Sequence, residues 1–382
     1  MFKPEFISLL KESVGEDCAR VALEALEKEP STSIRLNPAK IKDCPFQDAE
    51  SIPWSPYGYF LKERPVFTLD PLLHAGAYYV QESSAMIVGE VFRRLTDGLE
   101  GPLNVLDLCA APGGKTTDLS ASLRERFGDG FTLISNEPVK NRLGVLRENV
   151  EKWGDTRVGV VSMDPSAFGE SPVFDVVVTD VPCSGEGMFR KDRRARDEWT
   201  PELPSFCAAR SKRILADIWP ALRRGGLLIY STCTFNHLEN DGTAEWISKE
   251  LGADIITPDI PGPAIWTRAG LLMLPGLVPG EGQYVAALRK HGEEDSLRRA
   301  DPLLLYKAQI PASTVPEVPA VEVDRSTALK YLHGDALKLP ADAPSGPVTI
   351  TYQGLALGPA KNLGSRCNNL YPKGKRIKMD IK

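Results

Sequence analysis

Two cysteines stand where this chain could do covalent chemistry. Cys183 lies in Asp180-Val181-Pro182-Cys183-Ser184-Gly185, directly after the apolar run 174–179. Cys233 lies in Ser231-Thr232-Cys233-Thr234, directly after Gly226-Leu227-Leu228-Ile229-Tyr230. Both runs are short and rich in apolar and β-branched residues, the pattern of buried parallel strands. In an open parallel sheet, ligands bind beyond the carboxyl ends of the strands. Two thiols delivered to that edge, one beside an aspartate, point to nucleophilic chemistry more than to packing. A cysteine taken singly is as often a small buried hydrophobe. That reading is kept for Cys18, Cys44, Cys207 and Cys367.

The elements that must position these residues alternate along the chain. Strands are expected at 105–108, 131–135, 158–161, 174–179 and 227–230, with a last one at 283–288. Helices are expected at 116–127, 139–153, 204–222 (stopped by Gly225-Gly226) and about 240–251. Such alternation implies an α/β fold with a mostly parallel, doubly wound, Rossmann-like sheet. Residues 1–73 read as a small N-terminal α/β domain, with helical periodicity over 4–26, a strand ending at Pro38 and a loop around 54–59. Residues 74–290 read as the catalytic domain, opening with one helix over 74–94. Residues 291–325, rich in acids, Pro and Ala, read as a linker. Residues 326–382 read as a small β-rich unit, with a helix near 329–332 and a hairpin of 348–352 and 355–357 around Gln353-Gly354.

Composition narrows the function classes. The chain has 382 residues, 42% hydrophobic and 25% charged, as in ordinary soluble domains. No apolar run approaches the ~18 residues of a membrane span, and the N-terminus lacks a signal-peptide pattern. Seven cysteines without a C-x-x-C pair and four histidines without H-E-x-x-H argue for reduced thiols in a cytoplasmic protein and against a metal site. The net charge of −5 does not favour promiscuous nucleic-acid binding. The cations cluster, however. Residues 360–382 hold seven against one acid, and 190–196 is also basic. Both stretches are candidates for a phosphate track, the alternative being solvated surface.

The first expected strand runs into Cys109-Ala110-Ala111-Pro112-Gly113-Gly114-Lys115-Thr116. Small residues between a strand and a helix let the backbone approach a ligand, and the helix N-terminus favours an anionic group. A phosphate loop would need Gly where Cys109 stands, and G-x-G-x-x-G is absent, so a nucleoside triphosphate and a dinucleotide are both disfavoured. Glu137 follows the second strand, where such folds place a ribose acceptor, and Asp164 follows the third. Together they fit a nucleoside cofactor with a carboxylate tail, the shape of S-adenosylmethionine.

With these motifs in place, the chain resembles the RNA cytosine-C5 methyltransferases of the Nop/Sun type, through LDLCAAPGGKT (106–116), residues 136–142, DVPCSG (180–185) and STCT (231–234). It is similar in particular to the bacterial small-subunit ribosomal RNA subgroup, through residues 64–86, GEGMFRKD (185–192), YQGLALGPAKNLG (352–364) and NNLYP (368–372). The resemblance covers nearly the whole chain except the linker. It implies S-adenosylmethionine as cofactor, bound by Cys109, Ala110, Ala111, Pro112, Gly113, Gly114, Lys115, Glu137, Asp164 and Asp180, and RNA as partner, with neither DNA nor a membrane expected. It also implies Cys233 as nucleophile, Cys183 as the thiol that assists product release, and Asp180 at the N3/N4 edge of the base. The sequence departs from the family at Val181, where Ala is commoner, and at His237-Leu238, where Pro-Glu is frequent.

That chemistry is coherent. C5 of cytosine is a poor nucleophile, and adding a thiolate at C6 makes the ring an enamine whose C5 can attack a sulfonium methyl. The target base must be single-stranded or flipped out and held by aromatic and Arg side chains. Phe189, Arg190 and Lys191 are candidates, with Tyr352, Asn368, Asn369, Tyr371 and the basic tail as a second RNA contact. Two alternatives stay open. One is the same chemistry on transfer RNA. The other is a non-catalytic RNA-binding assembly factor, which loss of Cys183, Cys233 or Asp180 would have favoured.

Overall fold

The structure, a computed structural model, describes residues 2–169, 172–260, 262–293, 300–310 and 318–381. The chain begins with two helices, α1 (Pro4–Val14) and α2 (Glu16–Leu26). The periodicity of 4–26 is therefore interrupted, at Gly15, whose φ of 81° suits glycine. An antiparallel sheet of order β2-β3-β1-β4 follows, from β1 (Thr32–Leu36), β2 (Glu50–Ser51), β3 (Gly58–Leu61) and β4 (Tyr78–Val80). The single helix expected over 74–94 is not present. A short α3 (Pro71–His74) ends before Gly76 at φ 70°, Tyr78–Val80 pair with β1, and α4 (Ile87–Thr96) begins only after a 3-10 turn. Aromatic and β-branched side chains at 78–80 fit a pleated strand.

The catalytic sheet contains β5 (Leu103–Asp107), β6 (Phe131–Asn136), β7 (Val158–Val161), β8 (Phe174–Asp180), β9 (Leu222–Thr232), β10 (Ala253–Ile256), β11 (Ile265–Trp266), β12 (Leu271–Met273) and β13 (Gln283–Lys290). Its order is β11-β12-β13-β9-β8-β5-β6-β7, with β10 also paired to β13. The five strands β7, β6, β5, β8 and β9 are mutually parallel, and β13 is antiparallel to β9. The sequence runs β5, β6, β7 outward on one side and then returns to β8 on the other. The switch point therefore lies between β5 and β8, where such sheets bind ligands. Helices α5 (Gly114–Phe127), α6 (Lys140–Trp153), α7 (Arg193–Glu198), α8 (Leu203–Ile218) and α9 (Asp241–Trp246) make the crossovers. Helix α8 stops at Ile218 ahead of Pro220, which has no N–H to continue it. The expected stop, Gly225-Gly226, lies instead inside β9, at a bulge where Phe174 pairs with Leu222 and Val176 with Leu227.

Part of the stretch read as linker is structured. The short α10 (Pro302–Leu305) lays Leu303 against Gly159 of β7, where a Cβ would come within 2.6 Å of it. The Tyr306 ring stacks on Phe174 at 5.8 Å. Residues 294–299 and the proline-rich 311–317 lie outside the described residues. The C-terminal sheet begins at β14 (Ala320–Glu322), ahead of the expected boundary. It continues through α11 (Arg325–His333), β15 (Gly346–Tyr352), β16 (Leu355–Asn362) and β17 (Cys367–Asn369). The hairpin turns at Gln353-Gly354, both at positive φ, as a tight two-residue turn requires.

The N-terminal sheet reaches into the catalytic domain through Arg35. This fully buried guanidinium donates to Gln81 Oε1 (2.8 Å), the Gly114 carbonyl (3.0 Å) and Thr117 Oγ1 (2.5 Å), and lies 3.8 Å from Asp118. It ties β1 to the first turn of α5. Removing one member of a buried charge pair strands the other, at a cost of about 3–5 kcal/mol. Arg35→Ala is therefore expected to lower the unfolding free energy by about that amount, read from chemical denaturation. A change below about 1 kcal/mol would show that Arg35 is no anchor.

Candidate active site

The cysteines meet because of strand register. β8 and β9 are parallel neighbours with Asp180 opposite Ser231, so the two following loops leave the sheet side by side. Cys183 Sγ and Cys233 Sγ lie 3.4 Å apart, in hydrogen-bonding contact and well beyond the ~2.05 Å of a disulfide.

A buried polar clasp holds the loops at this spacing. Glu186 and Glu239 are at most 1% exposed. The Asn236 amide donates to both, at 2.9 Å to Glu186 Oε1 and 2.8 Å to Glu239 Oε1. Glu186 Oε2 accepts the N–H groups of Phe235 and Asn236, and Glu239 Oε2 accepts that of Ser184. The Gly187 N–H donates to the Cys233 carbonyl at 2.8 Å, and a Cβ there would collide with that oxygen. His237, where the family more often has Pro, receives the Ser13 hydroxyl contact at 3.0 Å and so joins the Cys233 loop to α1.

Asp180 is oriented by three elements. Its Oδ1 accepts from Ser231 Oγ (2.8 Å) and Gln283 Nε2 (3.0 Å), and its Oδ2 from Lys115 Nζ (2.9 Å). Burial works against the Lys115 charge, but Asp180, Cys233 and Asp107 together raise its pKa. The contact with Cys233, with burial adding to it, pushes the Cys183 thiol well above its ordinary value. Burial pushes Cys109 up to about 12 and Cys207 up to about 11. Both remain neutral thiols.

The expected cofactor residues gather at the switch point. Ala110, Ala111, Pro112 and Gly113 form the turn from β5 into α5, and Gly113 sits at φ 108°, which favours glycine. The first N–H groups of α5, from Gly114 onward, have no intrahelical acceptor. Glu137, at the end of β6, is 1% exposed and accepts from the Ala111 N–H (3.3 Å) and the Val139 N–H (2.9 Å), with Arg142 at 3.5 Å. A carboxylate offers about four acceptor positions, so room remains for ribose hydroxyls. Asp164 is exposed beyond β7, capping a short turn through Ser166. Beneath the turn, Asp107 Oδ2 accepts from Thr116 while Oδ1 is buried without a partner.

Several residues expected to hold RNA do other work. Phe189 is 1% exposed and packs edge-on against Phe6 at 5.0 Å. Arg190 donates to the carbonyls of Lys28, Glu29, Pro279 and Gly280, and Lys191 pairs with Glu281. Arg196 packs over Phe2 and pairs with Glu27. This basic stretch thus fastens the Cys183 loop to the N-terminal helices, leaving Arg193 and Arg194 exposed. In the C-terminal unit, Asn369 donates to the carbonyls of Tyr331 and Asp335, Tyr371 packs on Tyr331, and Lys375 pairs with Glu151 of α6. Asn368 stays exposed and Tyr352 half-buried.

Residues 99–289 match the family described as 16S rRNA methyltransferase RsmB/F, 2–83 the N-terminal domain of 16S rRNA methyltransferase RsmF, and 318–377 the methyltransferase RsmF PUA domain. The chain belongs to the RsmB/F family of 16S rRNA methyltransferases. Ribosomal RNA small subunit methyltransferase F of Shigella dysenteriae serotype 1 is 31% identical over 380 residues, covering 90% of this chain and 77% of that protein. Its namesake in Escherichia coli strain K12 is 34% identical over 290 residues, 70% of this chain and 59% of that protein. Among solved structures, a methyltransferase homolog protein from Pyrococcus horikoshii aligns with TM-score 0.63 at 25% identity, covering 76% of this chain and 95% of that one. NSun6 from Pyrococcus horikoshii with SFG aligns with TM-score 0.63 at 20% identity, covering 76% and 99%. The cofactor of this RsmB/F sheet is S-adenosylmethionine, and the small-residue turn, the α5 N-terminus and the Glu137 carboxylate fit it.

The clasp makes a pH-dependent contribution to stability. Burial raises Glu239 from 4.5 to about 7, with Glu186 adding to the rise. The folded chain therefore binds this proton more tightly than the unfolded chain does. The stabilisation is complete below pH 4.5 and is lost as pH rises toward about 7. Between pH 5 and 7, wild-type unfolding free energy is expected to fall more steeply than that of Glu239→Gln, by on the order of 1–3 kcal/mol in denaturant titrations. Parallel pH profiles would show that Glu239 does not titrate in this window.

Proposed function

We propose that the protein methylates C5 of a cytosine in small-subunit ribosomal RNA through a transient bond from Cys233 to C6. The observation that carries this reading is the 3.4 Å contact between Cys183 Sγ and Cys233 Sγ at the carboxyl edge of β8 and β9. At that distance one sulfur can attack the base while the other hydrogen-bonds to it. Asp180, fixed by Ser231, Gln283 and Lys115, faces the N3/N4 edge of the base and stabilises the ring as the adduct forms. S-adenosylmethionine, when bound, supplies an electrophilic methyl group. The turn 109–115, Glu137, Asp164 and Asp180 hold it at the switch point. After transfer, a base takes the C5 proton, its electron pair restores the C5–C6 double bond, and the C6–S pair leaves with the Cys233 sulfur, which the Cys183 thiol stabilises by hydrogen bonding; this gives Cys183 its part in release. The PUA unit and the names of the relatives support ribosomal RNA as the substrate.

The roles separate in a single experiment. Cys233→Ala is expected to abolish transfer while cofactor binding persists. Cys183→Ala is expected to accumulate a protein–RNA adduct, seen as a slow band on a denaturing gel. Turnover by Cys233→Ala would contradict the assignment of the nucleophile, and absence of the band with Cys233 intact would contradict the release role.

A further inference from the structure

We propose that Phe206 and Arg213, exposed on α8 with the half-buried Arg210 between them, form a stacking and phosphate platform for the single-stranded nucleotide that flanks the target cytosine. An exposed phenylalanine by itself needs no explanation. This one is 63% exposed, the most exposed aromatic side chain among the described residues. It also stands at a particular place. β8 ends at the catalytic edge with Asp180, and α8 runs from that edge back to the start of β9, so Phe206 lies in the first turn of α8, beside the site.

Spacing of i, i+4 and i+7 puts Phe206, Arg210 and Arg213 on one helical face. The opposite face, with Cys207, Ala208, Ser211, Ile214, Leu215 and Ile218, is buried. Arg210 lies over the Phe206 ring at 5.8 Å and donates to the Pro182 carbonyl at 2.9 Å, one residue before Cys183. Arg213 is exposed and interacts electrostatically with Asp164, on the cofactor rim. The stripe therefore borders the site from the release cysteine to the cofactor residues. Arg193 and Arg194 lie exposed on α7 just before it, and the one acid of α8, Asp217, lies in its last turn. A ring beside cations, with Asp164 and the N-cap Glu202 as the acids nearby, matches a nucleobase with its phosphate, since aromatic faces stack bases and Arg neutralises the backbone. An acidic peptide would use the cations but not the ring. The platform rests on the RNA-methyltransferase reading above.

The test uses the full chain, S-adenosylmethionine, and 16S rRNA both naked and in the assembled small subunit. Phe206→Ala and Phe206→Leu are each expected to raise KM for RNA roughly 5- to 100-fold, with Phe206→Trp near wild type, because the ring face and not apolar bulk holds the base. Cofactor affinity should not change. Arg213→Glu is expected to weaken binding of an oligocytidylate of about 12 nucleotides and to flatten its salt dependence. Wild-type methylation with Phe206→Ala kinetically unchanged, or with Phe206→Leu as good as Phe206→Trp, would overturn the platform alone. Failure of the wild type to methylate either substrate would overturn the functional reading and the platform with it.

Discussion

Two carboxylates buried against one amide hold the catalytic edge together. Glu186 and Glu239 bring charge into a place with almost no water, which is costly unless hydrogen bonds compensate. The Asn236 amide and the N–H groups of Ser184, Phe235 and Asn236 supply them, and each of these donors lies in the loops that carry Cys183 and Cys233. Neither loop can shift without leaving a buried carboxylate short of a partner. A rigid polar network of this kind suits chemistry that needs two sulfurs at hydrogen-bonding distance without a disulfide between them.

The sheet supplies the rest of the positioning. The parallel register of β8 and β9 sets Asp180 beside Ser231, and the antiparallel β13 brings Gln283 to the same carboxylate. Lys115 approaches from α5, whose first turn is held from the far side by Arg35 of the N-terminal sheet. The N-terminal helices contribute Phe6, Leu10, Ala19, Ala22 and Leu26 to the same core as Phe189 and Trp199. The accessory domain is therefore part of the scaffold of the site. The C-terminal unit docks through Arg325 on the Leu69 carbonyl and Lys375 on Glu151, and its small core also takes in Ala75 and Leu69 from around α3.

What could be read from the sequence was whatever local chemistry dictates. Continuous apolar runs identified β5, β6, β7 and β8, and the small-residue turn before Lys115 marked the cofactor edge. The site residues that escaped notice are those that only register brings near. Gln283 lies about 100 residues from Asp180 in sequence, and nothing in Glu281-Gly282-Gln283-Tyr284 signals its carboxylate partner. Asp107 read as an ordinary strand residue. Phe189 is buried and Arg190 holds main-chain carbonyls, and a basic stretch with one aromatic has the same sequence whether it faces RNA or fills a gap between domains. The helix expected over 74–94 failed for a related reason. Its alanines and valines suit a helix, but β1 offered Tyr78–Val80 an edge to pair with, and tertiary pairing overrode the local preference.

The account stands or falls on where the methyl group goes. Bisulfite sequencing of 16S rRNA incubated with the protein and S-adenosylmethionine reads this directly, because 5-methylcytosine resists the deamination that converts cytosine. The account predicts one protected cytosine that appears only when both protein and cofactor are present. Methyl incorporation into the RNA with no cytosine protected at C5 would contradict it.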